Sequence, residues 1–438
     1  MTALSIQIPE HKTAPALDIA HRGRIGGPCR LCGAELKHVV VDLGMSPLCE
    51  NFPSKDEVDG PETYLPLKAV VCDQCFLVQV GEYATPSEIF EEYAYFSSYS
   101  TSWLEHMQRY AGEITQRYGF DKDSLVVELG SNDGYLLQYF QQLGIRVLGI
   151  EPAKNVARAA RENGIDTIDE FFGIDLALDL VSQGIKADLI CGANVMAQVP
   201  DVNDFVAGIK LLLKPEGVCT IEFPDLRCLM DENEFDTIYH EHFSYFSTLN
   251  VDSLADRHGL KFFDVEELPT HGGSLRVYLA HEDSSHARTA RLEARIQSDR
   301  DAGLDRIEAY ESFAEQVKDT KRKLLSLLVE AKAAGKRIVG YGAPGKGNTL
   351  LNYCAIGTDF VDFLVDRNPY KHGRFTPGMH IPILPPEELH AAQPDLVLIL
   401  PWNLKTEIMQ QLKDVADWGA KFIVPIPEPR IVDAGGNQ

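Results

Sequence analysis

One stretch limits what this chain can fold into more than any other: VVELGSNDGYLLQYFQQLGIRVLGIE, from Val126 to Glu151. Leu125–Leu129 is a short apolar run of the kind buried in a parallel sheet. Gly130-Ser131-Asn132-Asp133-Gly134 breaks it, Tyr135 to Leu143 carries apolar residues at helical spacing, and Val147 to Ile150 is a second apolar strand. Strand, glycine turn, helix and strand make a βαβ opening. The acid that closes the second strand, Glu151, falls about twenty positions past the first glycine, where a carboxylate can receive ribose hydroxyls. The turn lacks the G-x-G-x-x-G order of a dinucleotide site, because the middle glycine is absent.

The chain has 438 residues, enough for two or three domains, and 45% of them are hydrophobic, enough for substantial cores. No secretion signal and no membrane-length apolar run is read in it. Nine cysteines therefore point to metal ligands or reduced thiols in the cytoplasm. A net charge of −24 argues against a nucleic-acid partner. It leaves room for an anionic small substrate only where basic residues cluster locally.

Residues 1–27 are expected to be a flexible leader, and Cys29-x-x-Cys32 and Cys72-x-x-Cys75 follow it. Two such pairs are a strong signal for a structural zinc site, since four thiolates close a tetrahedron and leave no open position. The tyrosine-rich strip from Tyr93 to Ser100 reads as packing between domains or as a lid over donor and sugar. A helix is expected from about Ser102 to Tyr118. Beyond Glu151 the pattern predicts a helix over 153–163, a strand and loop over 166–172, a strand over 187–191, a helix over 204–213 and a strand over 218–223. Asp169, Phe171 and Phe172 would lie near an adenine. Asn194 and Gln198 would sit on the rim beyond the strand ends.

Tyr239-His240-Glu241-His242 concentrates proton-transfer groups. H-E-H does not have the spacing that puts two histidines on one metal from a single helix. If the segment is extended, His240 and His242 share a face; if it turns, Tyr239 meets His242. Arg276 ends the loop HGGSLR and would hold a phosphate or carboxylate. The run from 281 to 304 reads as charged and helical, and 306–334 as one amphipathic connector helix. A second α/β unit opens at Arg337-Ile338-Val339-Gly340-Tyr341-Gly342-Ala343-Pro344-Gly345-Lys346-Gly347-Asn348. It is not a P-loop. Lys346, Lys371, His372 and Arg374 would form the local basic pocket for a nucleotide diphosphate.

ExGxxxG with its closing acid resembles motif I of class I S-adenosylmethionine (SAM) methyltransferases. Taken whole, the chain resembles the SAM-dependent C-methyltransferases that act on nucleotide-linked 4-keto-deoxysugars, for example at C-3. The segments that carry the likeness are the two CxxC pairs, VELGSNDGYLL, GIEPA, YHEHFSYFS, HGGSLR, GYGAPGKGN and VDRNPYKHG. The resemblance implies an α/β protein with a zinc-binding module (28–85), a class I SAM-methyltransferase domain (86–285), a helical connector (286–335) and a Rossmann-like C-terminal α/β domain for the nucleotide sugar (336–438). It implies SAM contacts from Glu128, Gly130, Asn132, Asp133, Gly134, Glu151 and Asn194, and a structural Zn2+ on Cys29, Cys32, Cys72 and Cys75. Tyr93, Tyr95, Arg276, Lys346, Asn348, Lys371, His372 and Arg374 would contact substrate. His242 would be the base, with Tyr239, Glu241, Asn194 and Gln198 around it. In the family a histidine stands where this chain has Gln198, and an amide donates a hydrogen bond but relays no proton. No membrane partner is implied, and a monomer is expected. The alternatives are O- or N-methylation of a similar sugar, a non-catalytic nucleotide-sugar-binding protein, or an oxidoreductase using the C-terminal unit.

Overall fold

The structure, a computed structural model, describes residues 22–90 and 96–434. The expected leader lies outside them up to residue 21, as do Tyr93 and Tyr95.

The four paired cysteines come together first. Antiparallel β1 (His38–Ser46) and β2 (Leu65–Val71), between the two knuckles, and β3 (Val78–Val80), after the second, form a small sheet. Its core is Val40, Val41, Leu67, Ala69 and Val71. Cys29 and Cys75 Sγ lie 3.6 Å apart, Cys32 and Cys72 Sγ 3.5 Å apart, and all four sulfurs are within 4.8 Å of one another. Four thiolates at the usual zinc–sulfur length stand about 3.8 Å apart, so this donor set fits one tetrahedral Zn2+.

The central sheet has seven strands. β4 (Leu125–Leu129), β5 (Arg146–Ile150) and β6 (Thr167–Ile168) run parallel to one side, and β7 (Ala187–Ala193) and β8 (Leu213–Pro224) to the other. β4 is buried at every residue, as a strand with both faces covered requires. After β8 the chain leaves the sheet, and β9 (Ser244–Tyr245) pairs with β3 as the fourth strand of the zinc-domain sheet. It then returns as β10 (Leu260–Leu268) and the antiparallel β11 (Ser274–His281). The order β10-β11-β8-β7-β4-β5-β6 reverses direction at β4, and the crevice beyond the β4 and β7 ends is where an open α/β sheet binds ligands.

Three local readings differ from the sequence pattern. The run from His281 is strand end and turn, and its helix is only Ala290–Asp301. The connector is broken, with Glu308–Glu311 separate from Phe313–Ala333. The third strand is only two residues long. Charge density predicts an exposed helix; it does not fix where that helix begins. The longer helix packs Val317, Leu324 and Leu328 into the same core as Val40 and Leu350, so it is an inter-domain wall more than a spacer.

β12 (Ile338–Tyr341), β13 (Leu364–Val365), β14 (Ile383–Leu384), β15 (Leu396–Ile399), β16 (Lys421–Val424) and β17 (Arg430–Asp433) form a third sheet, parallel except for β17. Among the described residues no helix is long and apolar enough to cross a membrane.

Because β3 carries β9, the zinc module supports the segment that holds His242. Purified protein should contain about one zinc per chain by elemental analysis. Cys72→Ser should lose it, lower the unfolding midpoint and lose methyl transfer in parallel. Full stability in a metal-free Cys72→Ser chain would contradict this.

Candidate active site

At the ends of β4, β5 and β7 lies a cavity of about 350 Å3. Leu129, Ile150, Phe171, Phe172 and Phe205 give it apolar walls, and Glu151, Asn132, Asn194 and Gln198 line it with polar groups. Gly130 has φ +67°, and a Cβ there would press on Val195 at 3.0 Å; Gly134 has φ +83°, and its Cβ would meet Ile165 at 2.7 Å. Both positions need glycine for conformation as well as space. Glu151 Oε2 accepts from Asn132 N (2.9 Å) and Oε1 from Ala153 N (2.9 Å). Burial raises its pKa to about 7 against those two backbone donors. The site thus offers one buried acceptor at the strand end, two close-approach glycines and an aromatic wall, which suits a nucleoside with a short polar tail. Asp169 pairs with Arg161 at 2.9 Å and does not line the cavity.

Some motif side chains bond neighbouring segments of the chain. Asn132 Oδ1 accepts from Ser97 N (2.9 Å), and Asp133 holds Ser98, so these side chains fasten the turn that follows the tyrosine strip. Glu128 lies fully buried in β4, and burial lifts its pKa well above the carboxylate range while Tyr135 opposes the shift.

The segment Tyr239–Phe246 packs beside the rim of the cavity. Phe243 N donates to Ala197 O (2.8 Å), which ties this segment to the turn carrying Asn194 and Gln198. The segment turns: His242 N bonds Tyr239 O at 3.0 Å, and Tyr239 Oη lies 2.9 Å from His242 Nε2. His242 Nδ1 is 3.1 Å from Thr237 O. A carbonyl only accepts, so Nδ1 carries the proton and Nε2 is the bare acceptor facing Tyr239. Burial, despite the Thr237 bond, and the charges of Lys346 and His271 hold the imidazole neutral, with a pKa of about 3. Burial raises the Tyr239 phenol well above its usual range. Glu241 turns away from His242 to Cys49, whose Sγ donates to it at 3.5 Å.

His271 is a site residue that the sequence reading passed over; HGGSLR pointed only to Arg276. The Asn194 amide donates to His271 Nε2 (3.0 Å), and Trp103 packs on the ring at 5.0 Å. Thr270 Oγ1 binds Glu222 at 2.8 Å and anchors the loop. Arg276 is not free for an anion, which corrects the expectation. It lies within β11, opposite Glu222 on β8 and Glu266 on β10, and bonds them at 2.7 and 3.2 Å. Burial works to raise Glu222, but His106 and Arg276 outweigh it and hold the carboxylate at about 2.

The expected basic pocket is also redistributed. Lys371 Nζ binds Glu50 (3.1 Å) and Ala343 O (2.8 Å); Arg374 donates to Phe52 O (2.9 Å); His372 Nε2 donates to Asp366 O (2.7 Å). Asn348 donates to Cys49 O at 2.6 Å. Glu50 lies so close to the start of helix Gly345–Cys354 that a Cβ on Gly345 would be 3.1 Å from its Oε1. A carboxylate of this same chain therefore sits where a phosphate would be drawn to the helix N-terminus. Lys371 and Arg374 thus join the first and third domains, while His372 stays within the third. Lys346 instead lies 4.5 Å over the Trp402 ring and 3.1 Å from Asn403 Oδ1, and its charge opposes protonation of His242 and His271.

Three family descriptions match the chain: a zinc binding domain (residues 29–90), a methyltransferase domain (103–265) and a C-methyltransferase C-terminal domain (269–427). The C-methyltransferase NovU of Streptomyces niveus is 36% identical over 406 residues, covering 93% of this chain and 97% of NovU. The chain belongs to the SAM-dependent C-methyltransferases. A ubiquinone biosynthesis O-methyltransferase of Bartonella quintana is 28% identical over 94 residues, 21% of this chain and 38% of the relative. A solved magnesium protoporphyrin IX methyltransferase of Synechocystis with bound SAM aligns over 40% of this chain and 79% of its own at 12% identity and a TM-score of 0.30. The C-methyltransferase is thus an α/β enzyme that uses SAM and carries a zinc-binding domain.

Two outcomes follow for this C-methyltransferase. SAM affinity should rise as Glu151 ionises, by about 10-fold from pH 6 to pH 8 relative to Glu151→Gln, whose titration profile by calorimetry should lack that component. Arg276→Met leaves Glu222 buried and short of a partner, and should cost about 3–5 kcal/mol in denaturant unfolding.

Proposed function

We propose that this C-methyltransferase acts on a nucleotide-linked 4-keto-deoxysugar and methylates C-3 through an enolate. The observation that carries the reading is the Tyr239–His242 pair: a neutral imidazole with a bare Nε2, held on the segment that also bonds the Asn194–Gln198 turn of the SAM cavity. Family membership and the deoxysugar resemblance support the substrate class. So do buried oxygens that lack a hydrogen-bond partner among the described residues, on Asn194, Glu234, Asp236 and Asn348. They suit a ligand rich in hydroxyl donors.

A carbon becomes nucleophilic when an adjacent carbonyl takes up its electrons. The C-3 proton leaves for the Tyr239–His242 pair and comes to rest on Nε2, while Thr237 O keeps the opposite N–H in place. SAM, when bound, supplies the electrophilic methyl group. Asn194 and Gln198 donate to the sugar from the shared rim, and Gln198 orients without relaying a proton. Orientation of sugar against the cavity provides much of the remaining acceleration. A four-thiolate zinc has no open coordination position and serves the fold. Reduced metal-binding thiols suit a cytoplasmic enzyme.

The test is solvent exchange. With a TDP-4-keto-6-deoxyhexose in D2O and no SAM, the wild-type chain should incorporate deuterium at C-3, and His242→Ala should slow this by about 100-fold or more. Undiminished exchange in His242→Ala would place the base elsewhere.

A further inference from the structure

Beside the Tyr239–His242 pair lies a group of buried charges that the enolate reaction has not yet used. Glu234 is 1% exposed, and neither of its oxygens has a hydrogen-bond partner among the described residues. Asp236 is fully buried; its Oδ2 accepts from Trp402 Nε1 at 2.7 Å, and its Oδ1 has no such partner. Lys346 Nζ stands 4.5 Å over the Trp402 ring and makes one hydrogen bond, to Asn403 Oδ1 at 3.1 Å. An ammonium has three N–H donors, so two are left over. No ion pair within 4.0 Å joins Lys346 to Glu234 or Asp236 among the described residues; burial lowers the Lys346 pKa, and the two carboxyls oppose that shift.

The group is built against the His271 loop. Gly272 has φ +105°, and a Cβ there would lie 2.2 Å from Glu234 Oε1 and 2.8 Å from the Trp402 ring. Asp236 precedes Thr237, whose carbonyl holds His242. Lys346, Tyr239 and His271 are all half-buried.

We propose that Lys346 is a catalytic residue whose ammonium donates a hydrogen bond to the sugar carbonyl oxygen, with the Asp236 and Glu234 carboxyls offsetting part of the cost of burying its charge. This rests on the enolate reading above. When the C-3–H bond breaks, its proton goes to the Tyr239–His242 pair and its electron pair forms the C-3=C-4 bond. The carbonyl π pair moves to oxygen, and that oxyanion receives the Lys346 N–H. When C-3 takes the methyl group the carbonyl re-forms, the methyl–sulfur bond breaks towards sulfur, and Lys346 is unchanged. An imidazole kept neutral by burial is a weak proton acceptor, so the oxyanion side of the site has to bear much of the stabilisation. A fixed cation that repels a proton from His242 is, by the same field, one that attracts the enolate.

The test uses the full-length zinc-loaded protein, saturating TDP-4-keto-6-deoxyhexose, D2O and no SAM. Lys346→Met and Lys346→Gln are compared with wild type for the exchange rate at C-3, for substrate Kd and for SAM Kd. The expected result is exchange slowed by about 100-fold or more in both variants, with SAM Kd unchanged and exchange at saturation not restored by more substrate. Lys346→Arg, which keeps a charged donor, should recover part of the rate. Exchange at the wild-type rate once either variant is saturated would overturn the proposal and leave Lys346 a binding residue only. A wild-type protein that exchanges nothing from any 4-keto sugar nucleotide would overturn the enolate reading itself, and this proposal with it.

Discussion

A single carbonyl, Thr237 O, decides what His242 can do. By taking the Nδ1 proton it leaves Nε2 as the only basic atom of the ring, aimed at Tyr239. The segment that carries both residues is fixed from three sides. β9 pairs with β3 of the zinc domain, Phe243 bonds the methyltransferase turn at Ala197, and Asp236 bonds Trp402 of the C-terminal domain. The zinc, far from any chemistry of its own, enters the reaction through this route: it shapes the sheet whose last strand is β9.

Burial sets the second theme. In a chain of net charge −24, cations are scarce and most buried ones are already matched. Arg276 is flanked in register by two carboxylates, and Lys371 by Glu50. With Glu50 at the start of the Gly345–Cys354 helix, the C-terminal unit has the shape of a nucleotide-binding half but fills its own anion position. It sets Lys346 over the Trp402 ring, whose Nε1 donates to Asp236.

Much of this was legible in the chain itself. The βαβ opening, the closing acid Glu151 and the two cysteine pairs follow from local spacing, because glycine conformation, strand burial and metal geometry act over a few residues; for Tyr239–His242 spacing left an extended and a turned form open. The partners of Arg276, Lys371 and Arg374 were not legible. Arg276 meets Glu222 across 54 positions and Lys371 meets Glu50 across 321. A basic residue beside a glycine loop looks the same in sequence whether it faces a ligand or a carboxylate brought in by another domain. His271, Glu234 and Asp236 were missed for a related reason: they flank recognisable segments, and only the packing of Gly272 against Glu234 and Trp402 shows that those segments share one cleft.

In the proposed reaction the new bond is carbon to carbon, next to the sugar carbonyl. The most direct measurement uses SAM labelled with 13C in the methyl group and a TDP-4-keto-6-deoxyhexose labelled with 13C in the ring, read by NMR. The account predicts a methyl signal split by one-bond carbon–carbon coupling to C-3. A labelled methyl group without that coupling, in the methoxy or N-methyl region, would contradict it.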